Sequence, residues 1–133
     1  MSIPFWCVFI SALLIFIARI PVAKAMKEQG GYDNQLPREQ QARLTGLGAR
    51  ALAGHQNSFE AFMLFAAAVL MAHTTQTQGF VIDTLAIVFV CARSVFLLCY
   101  WADLAWQRSV AWVVGMLCTL LLMLSPTFKT LLF

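Results

Sequence analysis

Charge is scarce in this chain of 133 residues: Asp, Glu, Lys and Arg make up only 11% of it, against about a quarter in an ordinary soluble domain. From Ala61 to Ala72 no side chain ionises at all. There is no run of Lys and Arg interleaved with aromatics, which argues against nucleic acid as a partner. Cys7, Cys91, Cys99 and Cys118 all sit in apolar stretches without metal-ligand spacing, so they read as small buried hydrophobes and no metal is expected. No Lys or Arg precedes the first apolar run, Ile3 to Ala18, whereas Arg19, Lys24 and Lys27 follow it. That order is the reverse of a secretory signal, so Ala23-Lys24-Ala25 is read as the end of a retained first span. Tandem repeats and low-complexity segments are lacking as well.

Apolar residues take the place of charge. Hydrophobic residues are 61% of the chain and its mean hydropathy is +0.78, the signature of an integral membrane protein surrounded by lipids. The length suits one all-α domain, residues 1–133, of four transmembrane helices of about 20 residues each. Those spans are expected at about 1–23, 48–73, 80–102 and 109–125. Gly30-Gly31-Tyr32-Asp33-Asn34 breaks the chain into a long first loop, and Pro37 is suited to opening the next helix. That second helix is expected to run without interruption from about Arg38 to His73. Ser125-Pro126 marks the expected exit of the fourth.

Loop charges orient the bundle. Arg19, Lys24, Lys27, Arg38, Arg43 and Arg50 flank or occupy the first connection, and Arg108 lies at the third. The N-terminus and the second connection have no Lys or Arg, and the C-terminus has only Lys129. The positive-inside rule then puts both termini outside and the first and third connections in the cytoplasm. A bacterial inner membrane is the expected location.

Polar residues inside the spans are few and costly, so each calls for a task. On a helix, Ala49, Arg50, Ala53, Asn57, Glu60 and Leu64 fall within an arc of roughly 100°. One face thus carries a cation, an amide, a carboxylate and small residues. Arg93 lies about nine residues, or roughly 13 Å, inside the third span, with Tyr100 seven residues further along the same face. Glu60 at comparable depth is its expected partner. Two readings remain open at this point. The Arg93–Glu60 pair either fixes helix register, or joins Arg50, Asn57 and Tyr100 in a cleft for a small zwitterion rich in carboxylates. Arg108-Ser109, opening the fourth helix, is either an interfacial anchor or a cation that favours a thiolate. His55 points away from the polar stripe, His73 lies at the outer interface, and Asp103 reads as a loop charge.

Arg50-x6-Asn57-x2-Glu60, Arg93-x6-Tyr100, Arg108-Ser109 and four spans with a long first loop together resemble the MAPEG family, the membrane-associated proteins of eicosanoid and glutathione metabolism. The resemblance covers nearly the whole chain in order and spacing. It implies a left-handed four-helix bundle assembled as a homotrimer, with glutathione bound between subunits near the cytoplasmic face. It also implies that Arg50, Asn57, Glu60, Arg93 and Tyr100 hold glutathione as co-substrate, and that Arg108, with Ser109 beside it, activates the thiol. Two positions depart from the family pattern: Ala53 stands where a second Arg is common, and Phe96 where His or Tyr is.

Three functions follow as expectations. The first is a glutathione-dependent transferase or peroxidase acting on lipophilic small-molecule electrophiles from the bilayer. The second is a non-catalytic trimer of the same architecture that binds a lipid or a membrane partner, which Ala53 and Phe96 favour. The third, a small four-span multidrug transporter, fits poorly because the first span holds no carboxylate.

Overall fold

The computed structural model describes residues 1–132, with side chains through Lys129. It contains four long helices and one short: α1 (Ile3–Glu28), α2 (Pro37–Ala42), α3 (Gly46–Thr74), α4 (Phe80–Trp101) and α5 (Ala105–Leu132). The described residues form no strand. The long helices run up and down beside one another. At one end Phe5 of α1 meets His73 of α3 with ring centroids 5.0 Å apart. Midway, the Ile15 carbonyl lies 3.1 Å from His55 Nδ1, which turns His55 towards α1 and away from Asn57. At the far end Gly48 of α3 faces Ala25 of α1. Phe65 stacks on Phe89 of α4 with centroids 3.8 Å apart, and Gly115 of α5 lies against Phe89 and Arg93.

The largest buried cluster, with Phe65, Val69, Phe89 and Leu122, fills the half of the bundle away from the first loop. Two smaller clusters continue it, around Ala18, Phe96 and Leu97 and around Val22, Met26 and Ala51. Outside, large apolar side chains such as Phe16, Ile20, Val81 and Trp106 are exposed, an arrangement stable only where the surroundings are themselves apolar. α1, α4 and Ala105–Lys129 of α5 are long and apolar enough to cross a membrane. The protein is therefore an integral membrane protein. α3 has 29 residues, about 43 Å of helix, but Arg50, His55, Asn57 and Glu60 lower the hydropathy of its first half.

The helix boundaries differ from the sequence expectation in three places. The expected helix from Arg38 to His73 is broken at residues 43–45: α2 ends with the Arg43 and Leu44 amides bonded to the Gln40 and Gln41 carbonyls. Leu44 is buried, and Gly46 at φ +54° uses a backbone open chiefly to glycine to redirect the chain. Pro126, expected to mark the exit of the fourth span, lies inside α5 instead, and Pro21 lies inside α1. Near Pro126 the loss is made good locally, since Ser125 Oγ donates to the Leu122 carbonyl at 2.8 Å, the acceptor that a proline cannot serve. Finally, α5 begins at Ala105, with Asp103 at φ +60° in the tight turn before it. Arg108 and Ser109 therefore lie in the first turns of α5 and do not open it.

The first loop has an organiser that the sequence did not reveal. Gln40 is buried; its Nε2 donates to the Met26 carbonyl at 3.0 Å and the Gly31 carbonyl at 2.7 Å. Its Oε1 accepts from the Asp33 amide at 2.9 Å, while Asp33 Oδ1 accepts from the amides of Gln35 and Leu36. Backbone groups in this loop have no ladder to join, and one side-chain amide satisfies three of them. Gln40→Leu, close in size but without those bonds, is expected to leave the bundle folded and to raise proteolysis between residues 29 and 45 several-fold. Mapping the cleavage sites of the two proteins by mass spectrometry checks this.

At the loop end of the bundle, close approach of α1 and α3 depends on Gly48. A Cβ there would lie 2.8 Å from Ala25 Cβ, and neither atom can rotate away. Gly48→Ala is expected to cost about 1–3 kcal/mol as an overpacking change, and the pair Gly48→Ala with Ala25→Gly to recover much of it. Thermal melts of the three proteins in one detergent test this; equal melting temperatures for the wild type and the single variant would refute it.

Candidate functional site

α3 and α4 each bring an uncommon residue to the same height. Asn57 and Glu60 lie three residues apart on α3, one turn on the same face, and Arg93 comes across from α4. Arg93 is 5% exposed. Its Nη2 donates to Asn57 Oδ1 at 2.9 Å, and Asn57 Nδ2 donates in turn to Glu60 Oε2 at 2.9 Å. The result is a relay from a buried guanidinium through an amide to a carboxylate at the surface of the chain. The expected direct Arg93–Glu60 pair is not what forms: the only salt bridge among the described residues joins Arg50 to Asp103. The reason lies in the spacing, since Asn57 stands one turn closer to the start of α3 and intercepts the arginine first.

Two further features hold Arg93 in place. Its guanidinium carbon sits 4.0 Å from the centroid of the Phe96 ring, three residues on in the same helix, an attraction between cation and π-face. Gly115 of α5 leaves room for its aliphatic stem: a Cβ at 115 would meet Arg93 Cδ at 3.5 Å. Phe96 thus has a definite task beneath the guanidinium, which its type alone did not announce. A cavity of about 20 Å³ remains beside Arg93, walled in part by Leu64, Trp112 and Met116.

A second group gathers at the α4–α5 turn, around Tyr100. Arg50 Nε donates to the Tyr100 carbonyl at 3.2 Å, satisfying an acceptor in the last turn of α4. Arg50 Nη1 is 3.7 Å from Asp103 Oδ2, a pair of a half-buried arginine and an exposed carboxylate lying beyond hydrogen-bond reach. Arg108 stacks over the Tyr100 ring, its guanidinium carbon 4.5 Å from the centroid. Gly54 permits the ring to lie against α3, because a Cβ there would meet Tyr100 Cδ2 at 3.4 Å and Leu97 Cδ2 at 3.3 Å. Tyr100 is therefore the hub of this group, with Arg50 on its carbonyl and Arg108 on its ring face. Asp103, read from the sequence as a loop charge, is the pairing partner of Arg50. Ser109 is exposed, and its Oγ donates to the Ala105 carbonyl of its own helix at 3.1 Å.

The structure thus brings Asn57, Glu60 and Arg93 together in one group, and Arg50, Tyr100 and Arg108 in another. The groups are joined through α3 and α4, both on the half of the bundle nearer the first loop. Ser109 stands apart from both. Among the described residues no cluster of His, Cys, Asp and Glu could hold a metal ion. Chemically the arrangement offers three guanidinium groups, one amide, one phenol, the Glu60 carboxylate and the Asp103 carboxylate beside Arg50, suited to binding a small molecule with carboxylates and an amine.

No curated protein and no solved structure matches the chain. A family model does match, over residues 3–128: that of the MAPEG family. The match takes in α1 to α4, α5 as far as Phe128 and both polar groups, with the Arg50, Asn57, Glu60, Arg93, Tyr100 and Arg108 positions inside it. With so nearly the whole chain accounted for, the protein belongs to the MAPEG family.

Proposed function

We propose that this protein is a glutathione-dependent transferase or peroxidase that acts on lipophilic electrophiles delivered by the bilayer. The family's association with glutathione and eicosanoid metabolism supports a role of this kind. The observation that carries the specific reading is the relay from Arg93 through Asn57 to Glu60. A buried cation, an amide and an exposed carboxylate match a tripeptide bearing two carboxylates and one ammonium. In this reading Arg93 and Arg50 take carboxylates, Glu60 takes the ammonium, and Asn57 and the Tyr100 hydroxyl complete the hydrogen bonding.

The geometry also favours a binding site completed by another copy of the chain. The cavity beside Arg93 is about 20 Å³, far below the roughly 300 Å³ or more of typical small-molecule pockets. Glu60 is exposed on the side of α3, where its polar contacts need a second wall. We infer a homotrimer of four-span subunits in which α3 is the fourth span, held at membrane depth by its packing along α1, α4 and α5. Placing the Arg-rich first connection in the cytoplasm puts the site on that side and both termini outside, as in a bacterial inner membrane.

For the chemistry, Arg108 is assigned to the thiol. A guanidinium beside the sulfur favours thiolate over thiol, and the thiolate attacks the electrophilic carbon as the electron pair of the breaking bond departs with the leaving group. Stacked on Tyr100, Arg108 is held in place for this by a ring. Ser109 is the neighbouring candidate donor, but its hydroxyl is occupied by the Ala105 carbonyl, so Arg108 carries the assignment.

One set of contacts favours a second reading, a non-catalytic trimer that binds a lipid or membrane protein. Arg50 is already engaged by Tyr100 and Asp103, and Arg93 by Asn57 and Phe96, so the polar groups satisfy one another without a ligand.

Calorimetry with glutathione on the detergent-purified protein separates the outcomes. Saturable binding is expected in the wild type, and Arg93→Leu, which removes the guanidinium but keeps an apolar side chain, is expected to abolish it. Absence of binding up to millimolar glutathione in a folded, trimeric protein would refute the glutathione reading. For the thiol step, Arg108→Leu is expected to lower turnover of a lipophilic electrophile by about 100-fold, the scale of losing one preorganised donor to a developing anion, while glutathione still binds. Unchanged turnover would remove Arg108 from the reaction.

A further inference from the structure

The end of the bundle opposite the polar groups carries two adjoining cavities that the proposed function leaves unused. The first, of about 260 Å³, lies among the start of α1, the end of α3 and the start of α4, with Ser2, His73 and Asp83 in its lining. The second is a groove of about 490 Å³ between α4 and α5. Val81, Ile82, Leu85, Leu121 and Phe128 are its apolar residues, and Lys129 is its cation. Thr77, Gln78 and Ile82 line both spaces, so the two meet at the α3–α4 turn.

Opposite charges thus stand on the two sides of that turn. Lys129 Nζ donates to the Gln76 carbonyl at 2.8 Å and the Thr75 carbonyl at 3.3 Å. An ammonium has three donors, so one is left for an acceptor at the rim of the groove. Asp83 is half-buried, and among the described residues its carboxylate takes part in no hydrogen bond or salt bridge. Below Lys129 the groove descends along two helices apolar enough to span a membrane, and its volume is within the ordinary range for a small-molecule site. A matching occupant has an apolar chain, an anionic group at the interface and, beyond it, a cation able to donate hydrogen bonds.

We propose that this end of the protein holds one phospholipid with a primary amine in its headgroup, of the phosphatidylethanolamine class. One acyl chain lies in the α4–α5 groove, the phosphate meets Lys129, and the headgroup ammonium reaches across Thr77 and Gln78 to Asp83. Other amphiphiles match only part of the site. A fatty acid meets Lys129 but leaves the cavity unfilled, a glycerol headgroup brings no cation to Asp83, and a choline headgroup has no N–H to give a carboxylate. The site is remote from Arg93 and Arg108 and does not depend on the assignment of glutathione.

The test is to reconstitute the protein in nanodiscs of equimolar phosphatidylethanolamine, phosphatidylcholine and phosphatidylglycerol, then release it gently and count retained lipids by native mass spectrometry. About one phosphatidylethanolamine per chain is expected, enriched about tenfold over the other two, the ratio set by a difference of about 1.4 kcal/mol. Leu121→Trp, which fills the groove from an exposed position, is expected to remove the retained lipid. Asp83→Asn is expected to keep a lipid but lose the preference for the amine. Val81→Trp, also exposed, replaces Leu121→Trp if the latter does not fold, as judged by its helical circular dichroism. Equal retention of the three lipids by the wild type would overturn the proposal, as would retention that survives filling of the groove.

Discussion

A guanidinium cannot be placed inside an apolar helix bundle without partners, because the cost of leaving it unsolvated exceeds what any single packing contact returns. Arg93 imposes that constraint on its surroundings. It needs an acceptor, which fixes the face that α3 turns towards α4 and places Asn57 opposite. It needs room for its stem, which α5 supplies at Gly115. It needs a surface for the flat face of the group, and Phe96 provides one from the same helix. Three helices are therefore committed to positions around one side chain, and the Phe65–Phe89 stack deeper in the core is built on the same register.

A buried polar network is a weak source of net stability, since apolar residues of similar volume often do as well. Its use is to select one arrangement. In its first half, the face of α3 that meets α1 and α4 is made of small residues, with Gly48, Ala51, Gly54 and Ser58 all buried, and such a surface slides more easily than interlocking large side chains. Shape alone specifies its register loosely. Arg93 with Asn57, Arg50 on the Tyr100 carbonyl and His55 beside the Ile15 carbonyl are directional contacts on that helix, and each resists a slip of one turn. The polar residues that mark the candidate site are thus also those that hold α3 in place.

Much of this was legible in the sequence, for a physical reason. In a chain with so few charges, every polar residue inside an apolar run is conspicuous, and Arg50, Asn57, Glu60, Arg93 and Tyr100 stood out by depth and face alone. Their pairing was less legible. Helical spacing puts Asn57 and Glu60 on one face but does not say which of them a long, flexible arginine meets first. The same limit applies to Asp103, whose pairing with Arg50 depends on a tight turn at positive φ. The helix end expected at Pro126 was misread because proline breaks helices reliably in water, whereas here α5 continues through it. Conversely, the break at residues 43–45 is driven by burial of Leu44 and by the loop that Gln40 gathers, tertiary effects with no local signal.

The contacts already present in a single chain bear on how a ligand would bind under the proposed function. Arg93 is bonded to a neutral amide oxygen, and Arg50 keeps its acidic partner at 3.7 Å, without a hydrogen bond. A ligand carboxylate arriving at either guanidinium exchanges contacts instead of filling a vacancy. Its advantage is the difference between a charge-assisted bond and the neutral or loosely paired one it replaces, and charge-assisted bonds are roughly twice as strong. Displaced from Arg93, the Asn57 carbonyl is free to accept from the ligand while its Nδ2 remains on Glu60. The polar groups can therefore be stable without ligand and still prefer an anionic one, which is how the enzyme reading accommodates the contacts that favour a scaffold.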